Sequence, residues 1–444
     1  MDSMIIKPSI RQTGAASEVL DILGVGFGPS NLAIAIARQE MAPELSTLFL
    51  ERRATFGWHE LMLFDTATMQ VNFLKDLVSF RNPRSHFTFV NFLHNQERLA
   101  SFTNLQTLFP RRTEFHQYLS WCAAHFDGRV RYGTTATEIE TVLHNGELLF
   151  RVSAEGPNGP EHHLARNISY CGGLRPRIPF PVAGEGRVSH GYNLLRDIEN
   201  HAPDSHYAVV GAGQSAAEIT ELLYQRGARV TAIASRFGYM PADDSPFVNE
   251  IFDPEQVDVL FQTPDEMRSK IFEMHAATNY SGVDLDLLKS LYAEWYHDKV
   301  CGKNRFDFKR MTRVISATHT DSGVCLEVED GLKSTRSTLT VDHLICATGF
   351  EPRSVLDLFT EDLCRRVRMH ESGAPVFDRN YALDMELDPG LAVYAPHMSE
   401  RQHGLTATLL SNMAVRSGEI VESIVARRAR PFTTRPEREI ANAG

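Results

Sequence analysis

Two glycine-rich turns in this sequence have the residue types and spacing needed to bind phosphate. The first follows an apolar run at residues 19–23 and precedes a helix-forming segment. Such a turn brings backbone N–H groups and a helix N-terminus to a pyrophosphate with no side chain in the way. Its third glycine position, in the G-x-G-x-x-G form, is occupied by proline. We predict a dinucleotide-binding turn, the first cradle, formed by Gly24, Gly26, Gly28, Pro29 and Ser30.

An acidic residue follows the first cradle at the distance expected for a ribose contact. Residues 46–51 predict a second strand that ends at Glu51, and residues 30–39 predict the crossover helix between the two strands. A carboxylate at this strand end accepts hydrogen bonds from ribose hydroxyls. The alternative is a structural βαβ turn that binds nothing. The acid and the glycine turn together favour a bound dinucleotide.

The same pattern returns at residues 207–218, where the second cradle contains Gly211, Gly213, Gln214 and Ser215. The strand predicted after it, at residues 229–235, ends without an acid and runs into Arg236. An arginine in place of a carboxylate suits a 2′-phosphate, which favours NADPH over NADH. The alternative is a solvated arginine side chain. Two cradles predict two dinucleotides, with FAD on the first and NADPH on the second.

Composition and charge limit the possible partners. The chain has 444 residues, of which 43% are hydrophobic, so it can form two or three domains with large cores. Its net charge of −11 argues against nucleic acid and against an anionic membrane as partners. No run approaches the ~18 apolar residues of a membrane span, and we expect a soluble, cytoplasmic protein. The six cysteines form no C-x-x-C pair and no metal-ligand spacing, so we expect no metal.

The order of these elements predicts an α/β fold with two Rossmann-like dinucleotide-binding domains and a smaller, mainly helical substrate region. A proline-rich stretch at residues 175–181 indicates a domain crossing. We predict the first part of an FAD-binding domain at residues 1–180. An NADPH-binding domain follows at 181–335, with a helical insert at about 245–300. Residues 336–444 then form the second part of the FAD-binding domain and a C-terminal helix.

Local patterns give more specific expectations. The Asn-Gly pair at residues 145–146 predicts a β-hairpin. Apolar residues at helical spacing predict a helix over 113–126 with Thr113 as its N-cap, and a long helix from Thr406 to about Ala426. The segment Leu339–Thr348 is expected to be a late strand that returns to the first domain and reaches the flavin.

Six longer blocks of the sequence carry a family resemblance. They lie at residues 26–31, 69–77, 102–105, 243–250, 277–281 and 403–411. With the two cradles, these blocks resemble those of the flavin-dependent N-hydroxylating monooxygenases of siderophore biosynthesis, and the L-ornithine N5-monooxygenases most of all. The resemblance extends from about residue 20 to about residue 425. Cys346 and Phe350 differ from the usual residue types in the late motif.

This resemblance implies an activity. In the family, NADPH reduces FAD, and the reduced flavin adds O2 to give a C4a-hydroperoxide. The side-chain amine of L-ornithine attacks the distal oxygen and becomes a hydroxylamine, for hydroxamate siderophore or related biosynthesis. Since the flavin supplies the chemistry, no catalytic residue beyond it is expected. L-Lysine or a diamine such as putrescine remains an open alternative, because one methylene changes binding by only about 1–3 kcal/mol. The family also implies a homo-oligomer, a tetramer or a dimer.

Roles for individual residues follow from the same resemblance. Lys75 matches a contact to the substrate carboxylate, and Asn249 a second contact to the amino acid. Ser411 matches a position near the substrate end of the site. Asn279 matches a residue that keeps NADP+ in place beside the substrate, and Ser281 a ribose contact.

The remaining matched positions contact cofactors in the family. Those implied to contact FAD are Trp58, His59, Gln70 and Arg112, and those implied to contact NADPH are Ser215 and Arg236. A Baeyer–Villiger or sulfur-oxidising monooxygenase is a weaker alternative, because its F-x-G-x3-H motif is incomplete here: Gly184 stands where phenylalanine should precede Gly186 and His190. A non-catalytic flavin-binding protein or a plain NADPH oxidase is the third alternative. It would form no hydroxylamine.

Overall fold

The computed structural model describes residues 18–275, 278 and 282–429. Its strands are β1 Val19–Val25, β2 Thr47–Glu51, β3 Val130–Tyr132, β4 Thr135–His144, β5 Glu147–Gly156, β6 Gly159–Tyr170, β7 Leu174–Pro176, β8 Val182–Ala183, β9 Val188–His190, β10 His206–Val210, β11 Arg229–Ile233, β12 Met240–Pro241, β13 Gly282–Val283, β14 Phe306–Lys309, β15 Thr312–Thr320, β16 Gly323–Asp330, β17 Thr335–Val341, β18 His343–Cys346, β19 Phe350–Pro352 and β20 Ala392–Tyr394. Its α-helices are α1 Pro29–Met41, α2 Phe89–Asn95, α3 Leu99–Asn104, α4 Arg112–Ala124, α5 Leu194–Asp197, α6 Gln214–Gln225, α7 Pro246–Asn249, α8 Gln256–Gln262, α9 Asp265–Met274, α10 Leu285–Val300, α11 Glu361–Arg365, α12 Glu400–His403 and α13 Met413–Arg428.

The first sheet has the strand order β3-β2-β1-β6-β5-β4, and β20 pairs with the end of β6. Strand β1 lies between β2 and β6 and is parallel to both. Helix α1 crosses from β1 to β2, which confirms the first predicted βαβ unit. Because parallel strands end at the same edge of a sheet, the turn after β1 and the acid at the end of β2 are neighbours there.

An antiparallel hairpin, β4–β5, extends the first sheet. Its tight turn consists of Asn145 and Gly146, with φ of 51° and 84°. Both turn residues are therefore in the left-handed region, as a type I′ turn requires. The predicted Asn-Gly hairpin is confirmed.

A second parallel sheet has the order β14-β11-β10-β18-β9. Helix α6 connects β10 with its parallel neighbour β11 and is followed by Gly227 at φ +100°. A four-stranded sheet, β17-β16-β15-β8, shares one hydrophobic cluster with it, so the two sheets pack together. With the first sheet, this arrangement confirms the predicted α/β fold with two Rossmann-like units.

The expectation for the late strand is wrong. The segment Leu339–Thr348 lies in the second unit, because β18 pairs in parallel with β10 and β9. A short apolar strand fits the interior of either parallel sheet, so its composition does not specify its partner. After β19 the chain returns to the first unit, where Phe359 bridges Ile139 of β4 and where Val355 and Leu363 pack in the core. The predicted boundary at residue 336 therefore falls too early.

Two predicted helix starts are also wrong. Helix α4 begins at Arg112 with Arg111 at its N-cap, so Thr113 lies inside the helix and does not cap it. The C-terminal helix begins at Met413, after a separate short turn at Leu405–Ala407.

The late start of the C-terminal helix has a local cause. Arg416 donates from Nη1 to the carbonyl oxygens of Thr406 and Ala407, at 2.6 and 2.9 Å. Because these carbonyl oxygens accept from the buried guanidinium, they are not available for helical hydrogen bonds, and the chain forms a loop before the helix. Sequence periodicity does not reveal such a side-chain bond.

Helices α7 to α10 form the predicted helical insert of the second unit. The insert also contacts the C-terminal part of the chain, where Asp258 pairs with Arg379, and Asp265 pairs with Arg401 and lies 3.0 Å from His370. The two chain segments that connect the units also pair with each other, since β7 and β19 form a two-stranded antiparallel ribbon. Within the described residues, no helix has the length and apolarity of a membrane span.

Two histidines of the C-terminal part are shielded from water: His403 is fully buried and contacts Phe261 of the insert, and the half-buried His397 lies beside Tyr170 of β6. His403 lies 3.1 Å from the carbonyl oxygen of Arg379 through Nε2, and its ring stacks on Tyr381. His397 makes the corresponding contact with Arg353 at 3.0 Å. In both rings Nδ1 is buried without a partner. Burial lowers the pKa of each histidine to about 4, so both are neutral at neutral pH.

We expect the free energy of unfolding to decrease as the pH falls from about 6.5 toward 4. Unfolded histidine binds a proton near pH 6.5, whereas His397 and His403 stay neutral in the fold, so protons favour the unfolded chain in this window. Urea unfolding at several pH values measures the slope. The His403→Gln variant keeps an amide donor for Arg379 and should reduce the loss by about 1–3 kcal/mol.

The matched control is His94→Gln, because His94 is an exposed histidine in α2. This variant should follow the wild-type pH dependence. An equal slope in wild type, His403→Gln and the control would contradict the assignment.

Candidate active site

Two glycines of the first cradle, Gly24 and Gly26, leave no room for a side chain. Gly26 has φ +82°, and a Cβ there would overlap the carbonyl oxygen of Cys171. A Cβ on Gly24 would overlap the ring of Phe49. Gly28 differs, because no atom lies within 4 Å of a Cβ built on it. The backbone is packed on its inner side and open above Gly28, which leaves room for a ligand.

The helices that begin at the two cradles have free N-terminal ends. Gly28 caps α1 and Gly213 caps α6, and neither helix start has a side-chain hydrogen bond to its first N–H groups. Ser30 and Ser215 lie in the first turns of these helices. Uncapped N–H groups at a helix N-terminus bind phosphate, so both cradles fit a pyrophosphate.

Asn31 fixes the shape of the first turn, and sequence reasoning did not single it out. This residue is fully buried. Its Nδ2 donates to the carbonyl oxygens of Gly26 and Ser169, at 2.6 and 3.1 Å, and its Oδ1 accepts from the Ser169 hydroxyl at 2.6 Å. These bonds join the turn to β6. The one feature of the sequence that could have indicated this role is the position of Asn31 directly after the cradle residues.

Glu51 lies at the end of β2, as predicted. Its Oε2 accepts from the Phe27 N–H at 2.7 Å and its Oε1 from the Arg53 N–H at 2.9 Å. These bonds orient the carboxylate at the edge of the cradle. Each oxygen has a second lone pair, which is free for a ribose hydroxyl.

Trp58 and His59 lie in the loop beyond β2, with ring centroids 4.8 Å apart. His59 has φ +50°, an uncommon conformation for a non-glycine residue that is often found at functional sites. Burial, together with the nearby Arg112 and Arg53, lowers its pKa to about 4. The loop therefore presents an indole and a neutral imidazole.

Lys75 is half-buried, and no ion pair among the described residues includes it. The buried Asp76 beside it accepts from the N–H groups of Val78, Ser79 and Phe89 at 2.9, 2.6 and 2.7 Å. These bonds fix the backbone that carries the lysine. The ammonium lies over the ring of Phe80, 6.0 Å from its centroid, and without a carboxylate partner it can bind the carboxylate of a substrate.

The other predicted substrate contacts are not joined to Lys75. Asn249 ends α7 and donates from Nδ2 to the carbonyl oxygen of Asp244 at 2.8 Å, so it has no direct bond to Lys75. Asn279 and Ser281 lie outside the described residues. All of these assignments remain predictions.

Ser411 is buried beside the first cradle. The residues next to it and to Asn412, namely Leu410 and Met413, pack in the hydrophobic cluster that contains Phe27 of the cradle. The hydroxyl of Ser411 and the Oδ1 of Asn412 are buried without a hydrogen-bond partner. Orphaned buried polar atoms fit a site that a polar ligand fills.

A hydrogen-bond network connects predicted contacts of both cradles. Arg112 Nη2 donates to both carboxylate oxygens of Glu218, at 3.1 and 3.3 Å. Gln214 Nε2 donates to Glu218 at 3.0 Å and to Asp284 at 2.9 Å. Gln70 Nε2 donates to the other oxygen of Asp284 at 3.4 Å. The structure thus brings together three predicted residues, Gln70, Arg112 and Gln214, through two acids that sequence reasoning did not identify.

Cations gather at the edge of the second parallel sheet. Arg236 is exposed just beyond β11. Strand β14 is the parallel neighbour of β11 and ends at Lys309, followed by Arg310. Met311 N–H donates to the Arg236 carbonyl oxygen at 2.9 Å, which keeps the two strand ends together. Lys309 and Arg310 are distant from Arg236 in sequence, so only the sheet reveals the cluster.

The site can therefore hold two dinucleotides and an anionic small molecule. In the described part of the chain, His, Cys, Asp and Glu side chains form no group of three suited to a metal ion. The protein side chains offer binding, orientation and charge, and a bound cofactor would supply the redox chemistry.

Comparison with known proteins agrees with this arrangement. A family model described as L-lysine 6-monooxygenase/L-ornithine 5-monooxygenase matches residues 18–352. The L-ornithine N(5)-monooxygenase of Pseudomonas aeruginosa is 39% identical over 93% of this chain and 95% of its own length.

Two solved structures extend the comparison. The ornithine N-hydroxylase of Kutzneria sp. 744, with reduced FAD, NADP+ and L-ornithine, is 38% identical. It has a TM-score of 0.88 and covers 93% of this chain and 100% of its own. The L-lysine 6-monooxygenase of Pseudomonas syringae is 27% identical, with a TM-score of 0.79 over 92% of this chain and 99% of its own.

We expect alanine at two glycines of the first cradle to have different effects. Gly26→Ala forces a Cβ onto the Cys171 carbonyl at positive φ, so it should lower the free energy of unfolding by about 2 kcal/mol or more. Gly28→Ala has room in the protein itself and should leave the apoprotein stable. Its methyl group enters the space proposed for the dinucleotide and should weaken FAD binding by about tenfold or more.

Urea unfolding of the apoproteins and FAD titration by flavin fluorescence separate the two effects. Tight FAD binding by Gly28→Ala, with unchanged stability, would mean that the dinucleotide does not lie over Gly28.

Proposed function

Because the chain belongs to the L-lysine 6-monooxygenase/L-ornithine 5-monooxygenase family, we propose that it is an NADPH- and FAD-dependent monooxygenase. It hydroxylates the side-chain amine of L-ornithine at N5. The observation that carries this proposal is the near full-length similarity to ornithine hydroxylases, including a solved structure with reduced FAD, NADP+ and L-ornithine. The reaction converts the amine, O2, NADPH and a proton to the hydroxylamine, NADP+ and water.

The first cradle holds FAD. Its open space above Gly28, the uncapped start of α1 and the oriented Glu51 carboxylate are what a dinucleotide requires. Trp58 and His59 supply flat rings in the loop that follows β2 and Glu51. When bound, FAD accepts a hydride from NADPH and activates O2 for transfer of one oxygen atom to the amine.

The second cradle holds NADPH. Gly211, Gly213 and Ser215 surround the start of α6, and Arg236 lies at the strand end where a 2′-phosphate would be placed. Arg310, at the end of the neighbouring strand, adds a second guanidinium to that position. A doubly charged phosphate ester favours such a cluster, which supports NADPH over NADH.

The substrate site contains Lys75 for the carboxylate, with Asn249, Asn279 and Ser411 as further contacts. The ammonium of Lys75, whose neighbour in the structure is the ring of Phe80, favours an amino acid over a diamine, because a diamine has no carboxylate. L-Ornithine is favoured over L-lysine, since identity to the solved ornithine hydroxylase is 38% and to the solved lysine enzyme 27%. The product would serve hydroxamate siderophore or related biosynthesis.

We also propose that the protein is cytoplasmic and forms a homo-oligomer, a dimer or a tetramer. Four large apolar side chains are exposed along one face of α10, namely Leu285, Tyr292, Tyr296 and Val300. A face of this size on a soluble helix is typical of a contact with another protein, here a second copy of the chain. Light scattering of the purified protein measures the assembly directly.

The direct test of the proposed function is an assay of the purified protein with FAD, NADPH and O2. Offered separately, L-ornithine should give a hydroxylamine in an amount equal to the NADPH consumed, whereas L-lysine and putrescine should give little. NADPH consumption matched by H2O2, with no hydroxylamine from any amine, would overturn the proposal.

We expect Lys75→Ala to raise the KM for L-ornithine by about 10–100-fold, because a charge-assisted bond to the substrate carboxylate is lost. FAD content and flavin reduction by NADPH should not change. Lys289→Ala, at an exposed lysine of α10, is the matched control. Loss of FAD together with an unchanged KM would show that Lys75 belongs to the cofactor site instead.

We expect Arg236→Ala and Arg310→Ala each to raise the KM for NADPH by about tenfold and to leave the KM for NADH nearly unchanged. Each variant removes one guanidinium from the proposed 2′-phosphate position, a contact worth about 1.5–3 kcal/mol. Arg229→Ala removes an exposed arginine at the opposite end of β11 and serves as the control. Equal effects on both nucleotides would place the 2′-phosphate elsewhere.

A further inference from the structure

An ion pair crosses from the first unit to the second next to the two cradles. Arg112 begins α4, in the unit that holds the first cradle, and Glu218 lies in α6, the helix that begins at the second cradle. Their side chains are only 14% and 9% exposed. The remaining contacts of the guanidinium are to the carbonyl oxygens of Met62 and Thr68, at 3.0 and 3.5 Å. Glu218 is thus the carboxylate that neutralises Arg112.

Glu218 is held from its own side as well. Gln214, one helical turn earlier, donates to it at 3.0 Å and to Asp284 at 2.9 Å. The Asp284 N–H returns a bond to Gln214 Oε1 at 2.9 Å. Asp284 stands just before α10 and three residues after Ser281, the predicted contact to the NADPH ribose. The network therefore joins α4 of one unit to the start of α6 and the start of α10 in the other.

The charges make this connection specific. Burial raises the pKa of Glu218, and the adjacent Arg112 opposes that rise. His59 is neutral at neutral pH and does not compete for the carboxylate. A buried ion pair is costly to break on one side, because the remaining charge is left without a partner. The two units therefore separate at this point only with loss of the pair.

We propose that Glu218 is a positioning residue that sets how the nicotinamide end of the second cradle meets the flavin. By holding Arg112 and Gln214 together, it aligns α6 and the segment before α10 with the first cradle. The nicotinamide then lies against the flavin during reduction, and NADP+ stays in place afterwards. This inference rests on the proposed function, since it needs FAD and NADPH in the two cradles.

The test is Glu218→Gln in the FAD-loaded protein. Glutamine has nearly the same shape, but its N–H2 group replaces the oxygen that accepts the second bond from Arg112, and the negative charge that neutralises the guanidinium is lost. We expect the FAD content to stay near wild type and the melting temperature to fall by a few degrees, because Arg112 is left buried without its carboxylate. The rate constant of anaerobic flavin reduction by NADPH should fall by about tenfold, because alignment and not chemistry is changed. NADP+ affinity of the reduced protein, measured by equilibrium titration, should fall by a similar factor.

Glu221→Gln is the matched control. Glu221 lies one turn further along α6 and accepts from the Ser290 hydroxyl of α10 at 2.8 Å, so the same substitution there removes a carboxylate whose bond stays within the second unit. This control should stay within about twofold of wild type in both measurements.

A second variant tests the same network if Glu218→Gln does not take up FAD or does not fold. Asp284→Asn replaces one of the two acceptor oxygens that Gln70 and Gln214 share, at a half-buried position that tolerates substitution. It should reduce NADP+ affinity and raise the H2O2 produced per NADPH. Wild-type reduction rates and NADP+ affinity in the folded variants would overturn the inference. If wild type itself forms no hydroxyornithine, the proposed function fails. If wild type forms hydroxyornithine and the variants match it in reduction rate and NADP+ affinity, the inference fails and the proposed function stands.

Discussion

Hydride transfer between two dinucleotides requires that two separately built cradles hold their ligands in van der Waals contact, and this constraint explains much of the structure. Each cradle belongs to its own sheet and follows a strand with parallel neighbours on both sides. Their relative position is set by the β7–β19 ribbon, by the helical insert that packs on the C-terminal part, and by the Arg112–Glu218 pair. Small errors in alignment reduce transfer steeply, so several independent contacts at this junction are expected.

The electrostatics of the site follow from the same demand for placement. The Lys75 ammonium lies over the ring of Phe80 and forms no ion pair among the described residues, while the neighbouring Asp76 carboxylate accepts hydrogen bonds from backbone N–H groups. The lysine charge therefore suits the proposed contact to the substrate, and the aspartate charge stabilises the backbone that carries the lysine. His59 is neutral, which avoids a second positive charge near Arg112. Two adjacent residues thus have different tasks: Lys75 is proposed to bind the substrate, and Asp76 stabilises the loop.

The success of sequence reasoning depended on how local each signal was. The glycine turns, the acid at the end of β2 and the Asn-Gly hairpin are specified by a few consecutive residues, and the structure has them where they were predicted. The segment Leu339–Thr348 was assigned to the wrong sheet, because an apolar strand carries no information about its neighbour. The C-terminal helix was predicted to start too early, because the Arg416 side chain competes for the carbonyl groups of its expected first turn.

The sequence by itself determined the two nucleotide cradles, the α/β class and the family, since these depend on short motifs and on residue order. Only the tertiary structure showed that Glu218 pairs with Arg112, that Asp284 joins Gln70 to Gln214, and that Arg310 stands beside Arg236. Each of these contacts joins residues distant in the chain. Partners of this kind are selected by burial and by strand pairing, which become defined when the sheets assemble, and no local pattern of residues encodes them.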